Sequence, residues 1–211
     1  KVGSFNAPIP GMSADILNHD GTKTKTNDLG ELVMRKSSIG LTKSLWNDDK
    51  RYIDNYWSVI KNFWVHGDLA SRDEDGHWFL HGRSDDTIKV SGKRIGPSEL
   101  ESAIIKTGKI KEVAAVGIPD EKKGSRIILS VVPLNAQDPD MKEEYLNNLI
   151  IKDLGKSFKP DKIIFVKDLP KTRNMKIMRR VIKSCLVNQD PGDISTLLNP
   201  ESVEEIKQHG I

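Results

Sequence analysis

The first part of the chain contains short segments in which apolar and polar residues alternate, a pattern typical of half-buried β-strands. Four segments show it: Met12–Leu17, Glu31–Arg35, Leu69–Arg72 and His77–His81. The last two flank Asp73-Glu74-Asp75-Gly76, which predicts a hairpin turn. Between the second and third segments, Asp48–Trp57 has aromatic and aliphatic residues spaced for one helix face. We therefore expect residues 1–84 to be mainly β-structure.

From Asp85 onward the pattern changes to longer apolar elements that alternate between strand and helix. The predicted elements are a hairpin at 87–95, helix Glu99–Thr107, strands Val113–Val116 and Ile127–Leu134, helix Pro139–Leu154, strand Lys162–Val166 and helix Asn174–Leu186. Their β-α-β-β-α-β order predicts an α+β fold in which helices cover a small sheet. The tail after Asn188 is interrupted by Pro and Gly, and we expect it to wrap the surface.

The hairpin at 87–95 is the first candidate for a functional element. Thr87–Val90 alternates as a strand, Ser91-Gly92 is a two-residue turn, and Lys93–Ile95 returns. Ser98 and Glu101 then match a capping box at the start of a helix. An exposed glycine beside basic residues can bring backbone close to a phosphorylated ligand. The alternative is a surface hairpin with solvated charges.

The charge of the chain is unevenly distributed. Its 211 residues carry a net charge of +3, but the window from Ile151 to Lys183 holds eleven Lys or Arg against three Asp. This window is therefore +8 and the remainder of the chain −5. Such a cluster favours a polyanionic partner, namely nucleotide phosphates, coenzyme A or nucleic acid, whereas the alternative is a solvated basic face.

Cysteine usage and hydropathy indicate in which cellular compartment the protein works. Cys185 is the single cysteine, which excludes an intramolecular disulfide and fits a reducing environment. It lies on the apolar face of the helix predicted at Asn174–Leu186, so we expect a buried structural thiol. The apolar runs are too short to cross a bilayer. No charged-then-apolar leader follows Lys1, so we expect no signal peptide. We expect a cytoplasmic protein without a membrane partner.

Four motifs in this order and spacing carry a resemblance to a known family. They are Val65-His-Gly-Asp-Leu-Ala70, the stretch Gly82–Glu101, Pro170–Arg180 and Gly192–Pro200. Together they resemble the C-terminal third of AMP-forming acyl-CoA synthetases, and the acetyl-CoA synthetase branch in particular. The resemblance implies that residues 1–84 are the last, β-rich part of a large adenylation domain. It also implies that residues 85–211 form a small mobile α+β domain with a surface tail.

The resemblance assigns nucleotide contacts to the first part of the chain. Asp68 matches the aspartate that accepts hydrogen bonds from both ribose hydroxyls of ATP, a role suited to a carboxylate. Arg83 matches the arginine near the ribose and phosphates, where a planar guanidinium binds better than an ammonium. Asp85 matches the hinge about which the C-terminal domain rotates. A turn aspartate at Asp68 and a linker aspartate at Asp85 are the alternatives.

The resemblance assigns further contacts to the second part. Ser91 and Gly92 match the hairpin turn that lines the pantetheine tunnel of coenzyme A, and Arg94 would meet phosphate or coenzyme A. Lys176, at the start of the helix predicted at Asn174–Leu186, matches the lysine required for adenylation, where its charge stabilises the transition state. The family usually has Ser-Gly before this lysine, and here Asn174-Met175 stands there instead.

The implied enzyme converts a short carboxylic acid, acetate or a similar acid, into its acyl-CoA through an acyl-adenylate. Its cofactors would be ATP with Mg²⁺ and coenzyme A, and the sequence offers no metal cluster to hold the ion. The phosphate loop and acyl pocket would lie in an N-terminal domain outside this chain, so the chain alone is expected to be inactive.

There are two alternatives to a short-chain acyl-CoA synthetase, one in the same superfamily and one of another class. Another adenylate-forming enzyme, a longer-chain ligase or a peptide-synthetase adenylation domain, would share most of the motifs. A non-enzymatic module could bind nucleic acid through residues 151–183. Aromatic stacking platforms are sparse in that region, with Phe158 and Phe165 the only candidates, so we expect no nucleic-acid partner.

Overall fold

The computed structural model describes residues 1–138 and 141–210. Contacts between residues divide the chain into two compact units, Lys1–Asp85 and Asp86–Ile211. Each unit has its own sheet and its own apolar core. The fold combines strands with five helices among the described residues, which confirms the predicted α+β class.

The first unit is a four-stranded antiparallel sheet with one helix. Its elements are β1 Ala14–Leu17, β2 Gly30–Met34, α1 Asp49–Tyr56, β3 Trp64–Arg72 and β4 Trp78–Arg83, with the strands in the order β1-β2-β3-β4. Successive residues face opposite sides, so Ile16 and Leu32 join one cluster while Leu17 and Val33 join another. Strand β3 begins at Trp64, five residues before the predicted strand, because the whole segment pairs with β2 and β4.

The second unit packs helices on both faces of a three-stranded sheet. Its elements are β5 Ile88–Val90, β6 Lys93–Ile95, α2 Pro97–Ile105, β7 Ile110–Asp120, β8 Gly124–Pro133, α3 Glu143–Leu154, a short 3-10 helix Lys156–Phe158, β9 Lys162–Phe165, α4 Arg179–Leu186 and α5 Glu201–Lys207. Strands β7 and β8 form a long antiparallel hairpin, and β9 joins β8 in parallel. One core cluster includes residues of α2 and α3, and the other includes residues of α4 and α5.

The predicted capping box at the start of α2 is wrong. The helix begins at Pro97, and Glu99 provides the cap by accepting the backbone N–H of Gly96 at 3.0 Å. Glu101 is buried instead, where its Oε1 accepts the backbone N–H of Ala115 at 2.9 Å. Two overlapping Ser/Gly-x-x-Glu frames exist in the sequence, and the chain uses the one that frees Glu101 for the core.

Two predictions for the later part of the chain are corrected by the structure. The helix expected at Asn174 begins at Arg179, because residues 170–178 form backbone bonds of a loop rather than of a helix. The tail after Asn188 contains an additional helix, α5, whose Val203 and Ile206 are buried. Helix α3 begins at Glu143, and its predicted start at Pro139 lies outside the described residues.

The prediction for Cys185 is confirmed. The thiol is fully buried in α4, in the cluster that also holds Val181 and Ile182. Burial raises the pKa of this thiol, which keeps it protonated and chemically inert near neutral pH. Cys185 is therefore a core residue and not a nucleophile.

Candidate functional site

The β3–β4 hairpin brings three of the sequence-predicted site residues together. Asp68 on β3 lies directly opposite Arg83 on β4 in the antiparallel register. Arg83 Nη1 lies 3.5 Å from Asp68 Oδ1, and Arg83 Nε donates to Asp85 Oδ1 at 3.2 Å. Arg83 is thus held between two carboxylates, while about half of its side chain stays exposed to solvent.

Two neighbours of Asp68 shape this arrangement. His66 Nδ1 lies 2.7 Å from Asp68 Oδ2, so the imidazole and the guanidinium contact different oxygens of one carboxylate. Gly67 has a φ of +85°, and a Cβ there would lie 2.8 Å from Arg83 Nη2. A side chain at position 67 would therefore push the Arg83 guanidinium away from its present position. The positive φ of Gly67 is what favours glycine at this position of the His66-Gly67-Asp68 motif.

A cleft of about 420 Å³ opens beside these residues. Its lining includes His66, Gly67, Arg83 and Asp85, together with Tyr56 at the end of α1. The Tyr56 ring stacks on Trp64 with centroids 5.1 Å apart. The cleft thus combines aromatic surface with charged groups of both signs, a composition suited to a small polar ligand.

Sequence reasoning missed Glu31, which also lines this cleft. Only 3% of the residue is exposed, and among the described residues its Oε2 has no hydrogen-bond partner. Its Oε1 lies 3.8 Å from His19 Nε2. In an alternating strand the polar residue is expected on the exposed face, so the sequence gave no sign that Glu31 is buried beside a cleft.

The β5–β6 hairpin confirms the predicted two-residue turn. Ser91 and Gly92 have φ values of +50° and +80°, the combination of a tight hairpin turn in which both central residues are left-handed. A Cβ at Gly92 would meet nothing within 4 Å, so the backbone at this turn is open to an approaching ligand. The Ser91 N–H donates to the Lys123 carbonyl at 2.8 Å, which fixes the turn to the end of the β7–β8 hairpin.

The two faces of the β5–β6 hairpin differ in polarity. Ile88, Val90 and Ile95 are buried in the core. Lys89 and Arg94 are exposed and lie directly opposite each other in the register. Two like charges in a cross-strand pair repel each other, so this face gains from an anion that lies between them.

Lys176 lies in a loop that precedes α4. Its side chain is exposed, its N–H donates to Thr172 Oγ1 at 3.2 Å, and its carbonyl accepts the Thr172 N–H at 2.9 Å. Met175 completes the turn with a φ of +61°, a conformation that glycine adopts far more readily. The loop therefore keeps a left-handed residue immediately before the lysine, although no glycine stands there.

The basic window from Ile151 to Lys183 is partly neutralised inside the fold. Lys171 is buried between Glu112 and Asp168, and Arg179 pairs with Glu101. The guanidinium of Arg180 donates to the carbonyls of Pro191 and Asp193. Several of the charges that suggested a polyanionic partner therefore have structural roles. Sequence reasoning missed these roles, because the groups that bind these side chains from other elements lie at least eleven residues away along the chain.

One group of described residues, Asp73, Asp75 and His77, could approach a metal ion together. It lies at the β3–β4 turn, where Lys1 Nζ contacts Asp73 at 2.5 Å and Asp75 at 3.6 Å. A lysine already neutralises these carboxylates, so the group does not fit the Mg²⁺ that accompanies ATP.

Among the helices of the described residues, none is long and apolar enough to cross a membrane.

Comparison with known proteins identifies the chain's relatives. Residues 99–176 match the family model for the AMP-binding enzyme C-terminal domain. The acetyl-coenzyme A synthetases of Methanothrix soehngenii and Helicobacter pylori strain P12 are 38% and 41% identical to the chain over 214 and 217 residues. Both alignments cover 98% of the chain but only 32% and 33% of the relatives. The chain thus spans about a third of the length of these relatives.

Solved structures share the fold. Acetoacetyl-CoA synthetase from Streptomyces lividans superposes with a TM-score of 0.84 at 24% identity, covering 98% of this chain and 32% of that protein. The amide bond synthetase McbA from Marinactinospora thermotolerans superposes with a TM-score of 0.73 at 25% identity, covering 86% and 35%.

Proposed function

Because the chain belongs to the AMP-binding enzymes and corresponds to the C-terminal portion of an AMP-forming acyl-CoA synthetase, we propose that the whole protein activates a short carboxylic acid. In the first step, a carboxylate oxygen attacks the α-phosphate of ATP and pyrophosphate leaves. In the second step, the thiol of coenzyme A loses its proton, its sulfur attacks the acyl carbon, and AMP leaves. Acetate is the preferred candidate, since the relatives compared above are acetyl-coenzyme A synthetases.

The observation that carries this proposal is the pairing of Asp68 with Arg83. The carboxylate of Asp68 is oriented by His66 on one oxygen and by Arg83 on the other. Asp68 is mostly buried, with 18% of its side chain exposed, and it is held in one place beside Gly67 and opposite Arg83, which both line the cleft. An acceptor-only group fixed in this way suits a pair of ribose hydroxyls. The exposed part of Arg83 would contact the ribose and phosphate region.

The second unit would supply groups for both steps. Lys176 would place its ammonium near the α-phosphate, where negative charge develops in the adenylation transition state. Ser91 and Gly92 would line the path of the pantetheine arm, because the open side of the turn leaves room for it. Arg94, opposite Lys89 on the exposed face, would bind a phosphate of AMP or coenzyme A.

Alternation between the two steps requires movement of the second unit, and we propose Asp85 as the hinge. Asp85 is the last residue of the first unit, and three quarters of its side chain is exposed. A residue at the end of a compact unit can change φ and ψ without disturbing a core. Its bond to Arg83 would link the hinge to the nucleotide contact.

The first unit would pack against a preceding domain that carries the phosphate loop and acyl pocket. Large exposed apolar side chains support this part of the proposal, among them Ile9, Ile39, Trp46 and Val59. We therefore expect the 211-residue chain alone to form no acyl-adenylate. Acetate-dependent exchange of pyrophosphate into ATP by the isolated chain would contradict this expectation. Mg²⁺ would bind together with ATP, as part of that substrate. We also propose a cytoplasmic location for the protein.

The test is pyrophosphate exchange by the full-length protein with acetate, propionate and butyrate. The proposal expects exchange with at least one of these acids. Asp68→Ala should raise the KM for ATP about tenfold or more, because charge-assisted hydrogen bonds contribute ~1.5–3 kcal/mol. Asp28→Ala, which removes an exposed turn carboxylate of the same unit, is the matched control. Absence of exchange with every acid would refute the proposed function.

A further inference from the structure

A buried lysine anchors the base of the loop that carries Lys176. Lys171 is only 4% exposed, and its Nζ donates to Glu112 Oε2 at 2.8 Å and to Asp168 Oδ1 at 2.7 Å. Glu112 belongs to β7, fifty-nine residues earlier in the chain. The ammonium therefore fixes the loop to the central sheet of the second unit.

Asn199, from the tail before α5, completes this network. It is 6% exposed, and its Oδ1 accepts the backbone N–H of Lys171 at 3.0 Å. Its Nδ2 donates to Asp168 Oδ2 at 2.7 Å and to the Leu169 carbonyl at 2.8 Å. Both protons of the amide and one side of its oxygen are used, so the side chain has one orientation. A single residue of the tail thus binds two backbone groups of the loop base, the Leu169 carbonyl and the Lys171 N–H, and the Asp168 carboxylate beside them.

Backbone hydrogen bonds connect this network to Lys176. The Leu198 N–H donates to the Lys171 carbonyl at 2.8 Å, and Leu197 forms a bridge with Thr172. Thr172 in turn makes the two hydrogen bonds that hold the backbone of Lys176. The position of the exposed lysine is therefore set by a chain of bonds that begins at Asn199.

A network of charges stabilises a loop poorly for its desolvation cost. This indicates that the network serves to position the loop. Taking the Lys171 ammonium out of water costs several kcal/mol, and an apolar residue of similar volume is often as stable. What charged and amide groups add is directional bonding, which selects one backbone conformation. For a catalytic group that selection has value, because a misplacement of ~1 Å can lower a rate about 100-fold.

We propose that Asn199 and Lys171 are positioning residues that hold the loop of Lys176 in its adenylating conformation. The proposal rests on the proposed role of Lys176 as the lysine of the first half-reaction. Asn199 and Lys171 do not contact the reactants in this scheme. They act through the backbone of Thr172 and Lys176, so their effect is confined to the half-reaction that uses Lys176.

The test compares two asparagine variants of the full-length protein. Asn199→Ala removes the three bonds of the network. Asn188→Ala is the control: Asn188 lies outside the network with a φ of +53°, so alanine there strains the backbone without touching the loop. Asn199→Asp, nearly isosteric, keeps an acceptor for the Lys171 N–H and places a second carboxylate against Asp168.

Three measurements are made on each variant: amide hydrogen exchange across residues 172–178, pyrophosphate exchange with acetate, and thioester formation from supplied acetyl-adenylate. For both Asn199 variants we expect faster hydrogen exchange in the loop and pyrophosphate exchange lowered ~10–100-fold. Thioester formation should stay close to that of the wild type. Asn188→Ala should change none of the three.

Two results would overturn the proposal. One is loop hydrogen exchange in both Asn199 variants equal to that of the wild type. The other is an equal fall of both half-reactions, which would mean that Asn199 only stabilises the fold. Failure of the proposed function is distinguishable from either result, because it would appear as a wild-type protein that adenylates no acid. Hydrogen exchange would still decide in that case whether Asn199 holds the loop.

Discussion

Arg179 and Glu101 form a bidentate ion pair between the first residue of α4 and helix α2. Arg179 Nη2 lies 2.8 Å from Glu101 Oε1 and 2.7 Å from Oε2, and Arg179 Nε lies 3.1 Å from Oε1. Glu101 also accepts the N–H of Ala115 in β7. The pair therefore joins the helix that follows the β5–β6 hairpin to the helix that follows the Lys176 loop.

Arg179→Gln should lower the free energy of unfolding of the second unit by about 2–3 kcal/mol. The loss leaves the buried Glu101 carboxylate without its cation, and the fully buried case of ~3–5 kcal/mol is reduced because Arg179 is partly exposed. Hydrogen exchange of the α2 and α4 amides measures the change. Arg173→Gln, an exposed arginine of the preceding loop, is the control and should have no measurable effect. Equal stability of the two variants would contradict the prediction.

Lys176→Ala in the full-length protein should lower pyrophosphate exchange about 100-fold or more, the usual cost of losing one group that stabilises transition-state charge. Thioester formation from supplied acetyl-adenylate should persist, since the lysine acts on the first transition state. The matched control is Lys183→Ala, which removes another exposed lysine of the second unit. A parallel fall of both half-reactions would show that Lys176 is structural.

Met175→Gly should stabilise the Lys176 loop. A non-glycine residue in the left-handed region costs ~1–2 kcal/mol, and the greater chain entropy of glycine offsets part of this, leaving a gain of about 0.5–1 kcal/mol. Asn174→Gly, whose φ is not positive, is the control and should be destabilising by a similar amount. Hydrogen exchange across residues 172–178 compares the two. Slower exchange in the Asn174 variant than in the Met175 variant would refute the assignment of strain.

Gly92→Leu should abolish thioester formation while leaving adenylation intact, because the leucine side chain would enter the path proposed for the pantetheine arm. Gly108→Leu is a close structural control: its φ is +69°, and a Cβ there also meets nothing within 4 Å. The two substitutions impose similar backbone strain, so a difference between them reports on the ligand path. Equal thioester formation by both variants would remove the CoA-binding assignment from the turn.

Asp168 should make the stability of the second unit sensitive to acid. Burial acts to raise the pKa of its carboxyl, but hydrogen bonds from Lys171, the Leu169 amide and Asn199 outweigh burial and hold the pKa below its usual range. The stability that follows from this lowered pKa is present above the unfolded value of about 3.9 and is lost as the pH falls through the folded value. Asp168→Asn should therefore flatten the acid side of the stability profile. The exposed variant Asp153→Asn should keep the wild-type profile in the same thermal unfolding series.

The sequence by itself determined the features that depend on neighbouring residues. Alternation predicted strands β1, β2 and β4, and the Ser91-Gly92 pair predicted the hairpin turn, because side-chain period and left-handed φ values are local properties. The family resemblance also came from local motifs. The residues of those motifs are assigned to sites by resemblance, and their roles remain proposals.

Only the tertiary structure decided the features that depend on distant partners. Apolar spacing extended the last predicted helix back to Asn174, but the loop there bonds with Leu197 and Leu198 and so leaves the helix to begin at Arg179. The sequence predicted Glu101 as a capping residue. In the fold it binds Arg179, which lies seventy-eight residues away along the chain. Lys171 was one of the eleven basic residues between Ile151 and Lys183 for which the sequence offered a polyanionic partner or a solvated face. Its burial became evident only when packing brought β7 and the tail together, since no local pattern encodes the burial of a charge that distant groups neutralise.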